Sequence, residues 1–237
     1  MMDWDFWFET QPLLAICLTV TAYSVADMIW TVTGRPALLN PVLTATTMLA
    51  GILLVCGIQY HEYLSHAGPI VDTLPVIVVL LAVPLCRQFR LILHSRGAMV
   101  AGLLSGGLVC VVSALIVPIT WNSENEIIAT IAPKSATTAV AYEISERLGG
   151  LSSLTAVIVI ATGIFGGAFG PAILDRAGIF DERARGLALG VTSHAIGTAR
   201  AFQSSDTAGA FASMGMILNA ILTIILAPLA YEIAVAL

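Results

Sequence analysis

Four stretches of this 237-residue chain, residues 36–61, 97–123, 148–174 and 207–231, contain no Asp, Glu, Lys or Arg. Each exceeds the about 20 apolar residues with which a helix crosses the ~30 Å hydrocarbon layer of a bilayer. Lipid offers no partner to a backbone N–H or C=O, so such runs must fold as helices or as strands of a closed barrel. Barrel strands alternate apolar and polar residues over short segments, whereas AVIVIATGIFGGAFG (156–170) is apolar on every face. Composition agrees: 11% of residues are charged and 58% hydrophobic, against about a quarter charged in a soluble domain. The chain therefore reads as an all-α polytopic membrane protein. Further spans are expected at residues 11–32, interrupted by Asp27, and 70–85, beginning beside Asp72.

Charge placement orients the spans. Arg87, Arg90 and Arg96 form the clearest basic loop, which the positive-inside rule puts in the cytoplasm. Counting back places HEYLSH (61–66) outside, Arg35 inside and the N-terminus outside; counting forward places WNSENE (121–126) outside. The N-terminal MMDWDFWFET is acidic and aromatic, unlike the basic start of a secretory signal, and Trp4, Phe6, Trp7 and Phe8 suit interfacial anchors. Three segments follow residue 126. Either all three cross, or the first and third are broken or re-entrant while only the middle one crosses. Arg176, Arg183 and Arg185 face outside in the first case and inside in the second, which the charge rule favours. About seven or eight transmembrane or re-entrant segments result. LPVIVVLLAVPL (74–85) and LNAILTIILAPL (218–229) echo one another with opposite directions, which suggests inverted repeats, with halves at about 10–120 and 125–237, and broken helices at a shared site.

Two segments place polar groups where lipid penalises them. A charge at the centre of a spanning helix costs ~2.5–3.5 kcal/mol. In APKSATT (132–138), Pro133 breaks one helix or starts the next. Lys134, Ser135, Thr137 and Thr138 then surround a helix N-terminus, whose dipole and free N–H groups favour an anion. Ordinary capping, with Lys134 reaching to the interface, would use the same residues. In TSHAIGTARAF (192–202), His194 and Thr198 are four apart and share a helix face, with Ser193 adjacent and Arg200 off that face. Here His194 bonding a neighbouring carbonyl, and Arg200 serving as an interface charge, is the plainer alternative. Asn40 before Pro41 marks a helix start or break within the run 36–61. Glu143 either pairs with Arg147 at i, i+4 or carries protons.

The other polar residues suggest less. Cys17, Cys56, Cys86 and Cys110 lie in or beside apolar spans without metal-type spacing, and read as packing residues. His61 and His66 are five apart, which does not bring two imidazoles together on a helix. No metal or cofactor is expected, nor nucleic-acid binding, nor enzymatic chemistry. Gly163, Gly166, Gly167 and Gly170, and likewise Gly102 and Gly106, form small-residue faces for close helix packing.

The run IAPKSATTAVAYEISERLGGLSSLTAVIVIATGIFGGAFGP (131–171), followed by GLALGVTSHAIGTARAF (186–202), resembles the LrgB/CidB family of bacterial membrane proteins. LLNPVL (38–43) and LAVPL (81–85) fit as well, so the resemblance covers residues from about 38 to 229. It departs at Pro75, Val76, Ile77 and Val78, where the family carries Gly-Pro-Ala-Thr, at Ala139 in place of proline, and at Tyr142 in place of methionine. The family is similar to the plastidal glycolate/glycerate translocator, and bacterial relatives are linked to pyruvate transport. Members were also named as holin-like or antiholin-like regulators of murein hydrolases and cell lysis, acting with a small LrgA/CidA-like partner.

These readings lead to one expectation: a single LrgB-like domain over 1–237, in the bacterial inner membrane, that carries small monocarboxylates. A homo-oligomer is expected. Ser135 to Thr138 and the segment from His194 to Arg200 would bind the carboxylate jointly, with Asn40 nearby. Lys134 or Arg200 would supply charge, and His194 would couple transport to protons. A regulator or pore component of the lysis system is the competing expectation.

Overall fold

The computed structural model describes residues 13–34, 36, 39–70, 73, 79–80 and 82–236. Trp4, Phe6, Trp7, Phe8, Arg35, Asp72 and the run from Pro75 to Val78, like Leu74 and Leu81 of the 74–85 half of the internal echo, lie outside the described residues. The described part is helical: α1 Leu13–Val32, α2 Pro41–Cys56, α3 Tyr60–His66, α4 Ala82–Arg87, α5 Phe89–His94, α6 Arg96–Thr120, α7 Asn125–Ile131, α8 Thr138–Arg147, α9 Ser152–Arg176, α10 Glu182–Phe202 and α11 Asp206–Val235. Four of these, α1, α6, α9 and α11, are long and apolar enough to cross a bilayer; α2 and α3 count as a fifth if taken as one broken span. This is an integral membrane protein with four or five candidate crossings among its described residues.

The chain divides into two compact units, Met1–Ala82 and Val83–Leu237. In the first, Asn40 caps α2, its Oδ1 accepting from the Val42 amide at 3.0 Å with Pro41 in the first turn. Helix α2 stops at Gly57, whose φ of 72° is open to glycine at little cost. The chain then bends by 114° into α3. Residues 40–61 thus form a capped helix and a sharp turn, not one straight crossing. Ala15, Leu53, Ile58, Tyr63 and Ala67 close this unit's core.

The second unit is built on the three long helices α6, α9 and α11, and between them lie two elements that fold back on themselves. The first is α7–α8. Thr155 Oγ1 donates to the Thr130 carbonyl (2.9 Å) and is hydrogen-bonded to Ser145 Oγ (2.7 Å), so Thr130 in the ingoing helix is level with Ser145 in the outgoing one. Ala136 and Ala141, nearer the turn, pack together on Val159, further along α9. The second is α10. His194 has φ 39° and ψ −129°, which no α-helix contains. Beyond it the chain reverses: a Cβ on Gly197 would collide with the Leu189 carbonyl, although eight residues of unbroken helix span about 12 Å. Gly186 meets Ala208, and Gly190 meets Ala212. The first half of α10 therefore runs parallel to α11, which a connection of residues 203–205 permits only if the second half returns.

Of the three segments after residue 126, the first and third are broken and turn back, and α9 between them is long and apolar enough to cross, as in the second of the two arrangements open from sequence. Hairpin α7–α8 starts and ends beside Thr120 and Ser152; hairpin α10 starts and ends beside Arg176 and Asp206. They enter the second unit from opposite ends of α9. Arg96, Arg176, Arg183 and Arg185 consequently gather at one end. There Arg183 Nη1 donates to Ser95 Oγ at 3.3 Å, and Arg185 pairs with Asp175 at 2.6 Å. Hydrogen bonds from Arg183 hold the Asp181 carboxyl well below the usual carboxylate range.

The glycine faces read from sequence receive the second hairpin. On α9, a Cβ at Gly163 would collide with the His194 ring, one at Gly166 with Ser193 Oγ, and one at Gly170 would stand 2.7 Å from Leu189. On α6, Gly102 and Gly106 make the same room for Leu187 and Val191.

Candidate functional site

The two hairpin tips meet on one side chain. Asn219 sits 13 residues into α11, about 20 Å along its axis, and is fully buried. Its Nδ2 donates to the Ser135 carbonyl (2.9 Å) at the tip of the first hairpin and to the Val191 carbonyl (3.1 Å) beside the tip of the second. In an unbroken helix Val191 would accept from the Ala195 amide; at the His194 break the Asn219 amide donates to it. A second route joins the same tips: His194 Nε2 donates to the Val159 carbonyl at 2.9 Å, and Val159 packs on Ala136. That bond places the neutral imidazole's proton on Nε2 and leaves Nδ1 as an acceptor.

At each tip one helix ends and another begins, so carbonyls and amide N–H groups of both kinds point inward. Thr137 is the N-cap of α8 but makes no side-chain capping bond, so that helix presents its first amides and its positive dipole end uncapped by that side chain. Thr137 and Thr138 are half-buried around it. Two polar atoms at this place are buried without a hydrogen-bond partner, Ser135 Oγ and Asn219 Oδ1. An unmet polar group costs ~1–3 kcal/mol, and in a bilayer interior no bulk water relieves it. Lys134 is half-buried and within electrostatic reach of Cys110 on α6. Among the described residues no carboxylate is in ion-pair contact with Lys134, whereas Arg147, Arg183 and Arg185 are each paired.

The sequence-derived residues divide accordingly. Lys134, Ser135, Thr137 and Thr138 lie at or beside the first tip. Ser193 and His194 form the second, both buried, with φ at His194 in a region that costs about 1–3 kcal/mol for a residue other than glycine. Thr198 is buried on the return helix, its hydroxyl 3.9 Å from Met216 Sδ. Arg200 is six residues past the break, about 9 Å along the return helix, and its Nη1 donates to Gln203 Oε1 at 3.1 Å. The structure therefore puts Lys134, not Arg200, beside the meeting point. Asn40 belongs to the first unit and caps its own helix.

Glu143 is exposed and bonded to Arg147 at 2.8 Å, the i, i+4 pair expected as one alternative. Exposed pairs of this kind contribute ~0.2–1 kcal/mol. Glu143→Gln is expected to change stability by less than about 0.5 kcal/mol in thermal unfolding, with solute uptake unaltered; loss of gradient-driven accumulation in this variant would make the carboxylate a coupling group.

Sequence reasoning missed Asn219 and the Val159 carbonyl. Asn219 was visible as a lone amide within the uncharged run 207–231, where polar side chains face the protein interior. The Val159 carbonyl has no counterpart in any pattern of residues, because a backbone acceptor is addressed by tertiary geometry alone.

Residues 19–233 match the LrgB-like family. The chain belongs to that family. The holin-like protein CidB of Staphylococcus epidermidis is 35% identical over 218 residues, 92% of this chain and 95% of the relative. The protein of the same name from Staphylococcus aureus is 35% identical over 219 residues, with the same coverage. The protein YwbG of Bacillus subtilis is 31% identical over 216 residues, 91% of this chain and 96% of its own length. No solved structure matches. In this LrgB-like chain, both hairpin tips and Asn219 fall inside the matched region.

Proposed function

We propose that the chain is a carrier of small monocarboxylates, of the glycolate, glycerate or pyruvate class, in the bacterial inner membrane. The observation that carries this reading is the bridge from Asn219 to both hairpin tips. Two broken elements entering from opposite ends and meeting in mid-bundle form the arrangement in which a carrier can expose one site to either side in turn. The carboxylate is held by the first amides of α8, by the Ser135, Thr137 and Thr138 hydroxyls and by Lys134. Its charge at the positive helix end and the ammonium offset its dehydration. His194 Nδ1 takes up the coupled proton. The end holding Arg96, Arg176, Arg183 and Arg185 faces the cytoplasm, by the charge rule, and the N-terminus lies outside. An inverted relation between the two halves of the chain belongs to the same proposal.

The test is uptake of labelled glycolate, glycerate and pyruvate into proteoliposomes containing this protein alone. Saturable uptake of at least one acid is expected. A charge-assisted bond of ~1.5–3 kcal/mol corresponds to a tenfold or larger rise in KM for Lys134→Ala, whereas Arg200→Ala should stay within about threefold of the parent protein. Uptake proportional to concentration, without discrimination among the acids, would overturn the carrier reading.

The Staphylococcus relatives are named holin-like, which favours a second reading: a component of a lysis system, which would work with a small LrgA/CidA-like partner or as a homo-oligomer. A lesion of that kind leaks without saturation, and it has no use for Lys134 at the meeting of two hairpins. The same liposomes separate the two readings.

A further inference from the structure

We infer that Asn219 is a specificity-determining residue, its Oδ1 accepting a hydrogen bond from a hydroxyl on the transported acid. This rests on the carrier reading. The orientation of the amide is not free: Nδ2 donates to two carbonyls, those of Ser135 and Val191, and a flipped amide would set oxygen against oxygen at both. Oδ1 is therefore an acceptor, fully buried and without a partner. Its neighbour on α6 is Gly107, where a Cβ would stand 2.9 Å from it. The same Cβ would stand 2.6 Å from Leu222 Cδ2, so glycine at 107 is what lets α6 close on α11 beside this acceptor. Ser135, whose carbonyl accepts from the same amide, carries the other unpartnered buried atom, a hydroxyl that can donate.

A donor and an acceptor thus stand unmet on two residues joined by a hydrogen bond. The group that satisfies Oδ1 must donate. Close to Lys134 and the uncapped start of α8, a cationic donor is disfavoured, so the donor is neutral. On a small carboxylate, the neutral donor is a hydroxyl: Ser135 Oγ–H donates to the carboxylate while Oδ1 accepts from the hydroxyl. A keto acid offers only acceptors and leaves Oδ1 unmet. Sites built to bond a particular hydroxyl reject analogues that lack it, because the buried partner is then stranded.

The experiment measures inhibition of labelled glycolate uptake in proteoliposomes of the full chain by unlabelled glycolate, fluoroacetate and acetate. Fluorine is close to hydroxyl in size but cannot donate. Fluoroacetate and acetate are expected to inhibit at least tenfold more weakly than glycolate. In Asn219→Ala the difference should fall to within about twofold, and Asn219→Ser, which is also too short to reach, serves if the alanine variant does not fold. Equal inhibition by glycolate and fluoroacetate in the parent protein, with uptake saturable, overturns the assignment and leaves the carrier standing. A difference that survives in the folded variant places the acceptor elsewhere and also overturns it. Absence of saturable uptake of any acid overturns the carrier reading and this assignment with it.

Discussion

Gly190→Ala is expected to destabilise the protein by about 3 kcal/mol or more, enough to lower the yield of folded protein sharply. An added Cβ would collide with the Ala212 carbonyl oxygen and stand 2.7 and 2.8 Å from the Ala212 C and Cα atoms. All three are backbone atoms of a helix, so no side chain can swing away. Relief requires the hairpin of α10 to separate from α11, and Gly186 against Ala208 repeats the same close approach one turn earlier. The hydrogen bond from Asn219 to Val191 sits one residue from this contact, so separation also loosens the second tip. The measurement is thermal unfolding of the purified protein in detergent. Gly51→Ala in α2 is the control: nothing lies within 4 Å of a Cβ there. In that helix interior alanine should be neutral or stabilising by up to about 1 kcal/mol. Equal melting of Gly190→Ala and the parent would mean that the parallel packing of α10 on α11 is wrong.

Removing the His194 imidazole is expected to abolish gradient-driven accumulation of solute, and two variants separate that effect from folding. His194→Gly loses the bond to the Val159 carbonyl, about 1 kcal/mol, but glycine adopts φ 39° without the penalty that other residues bear. Both variants also lose the packing of a buried ring, so both should melt below the parent. His194→Ala loses the same bond and keeps the backbone strain, and it should melt lower than the glycine variant. Both should fail to accumulate solute against a gradient driven by protons while retaining exchange of solute for solute. A glycine variant that folds and still accumulates solute would remove the imidazole from coupling. An alanine variant as stable as the glycine one would show that the φ at position 194 is relaxed in the protein.

Much of the site was legible from where lipid makes residues expensive. APKSATT and TSHAIGTARAF stood out because charges, hydroxyls and a proline interrupt apolar sequence, and the structure turns the chain at both. The glycine faces of α6 and α9 were legible for the same reason: their spacing leaves one side of each helix without side chains, and the second hairpin lies there. Arg200 shows where such reasoning stops. Its charge sits in the same motif as His194, but the return helix carries it about 9 Å from the break and toward Gln203. Lys134, inside the turn that begins at Ala132 and next to Ser135, stays at the meeting point. Residues adjacent in sequence are separated by a helix, and only the path of the backbone says in which direction.

The sequence by itself determined that this chain is helical, embedded in a membrane and interrupted at two polar motifs, because apolar run length and the cost of buried charge are properties of the residues and the bilayer. Tertiary structure decided that the two interrupted segments turn back from opposite ends and are joined by Asn219. That outcome depends on which carbonyls a break leaves in reach of a distant amide. Val159, Val191 and Ser135 contribute backbone atoms that every residue possesses, and no residue pattern distinguishes the ones that a fold will bring together.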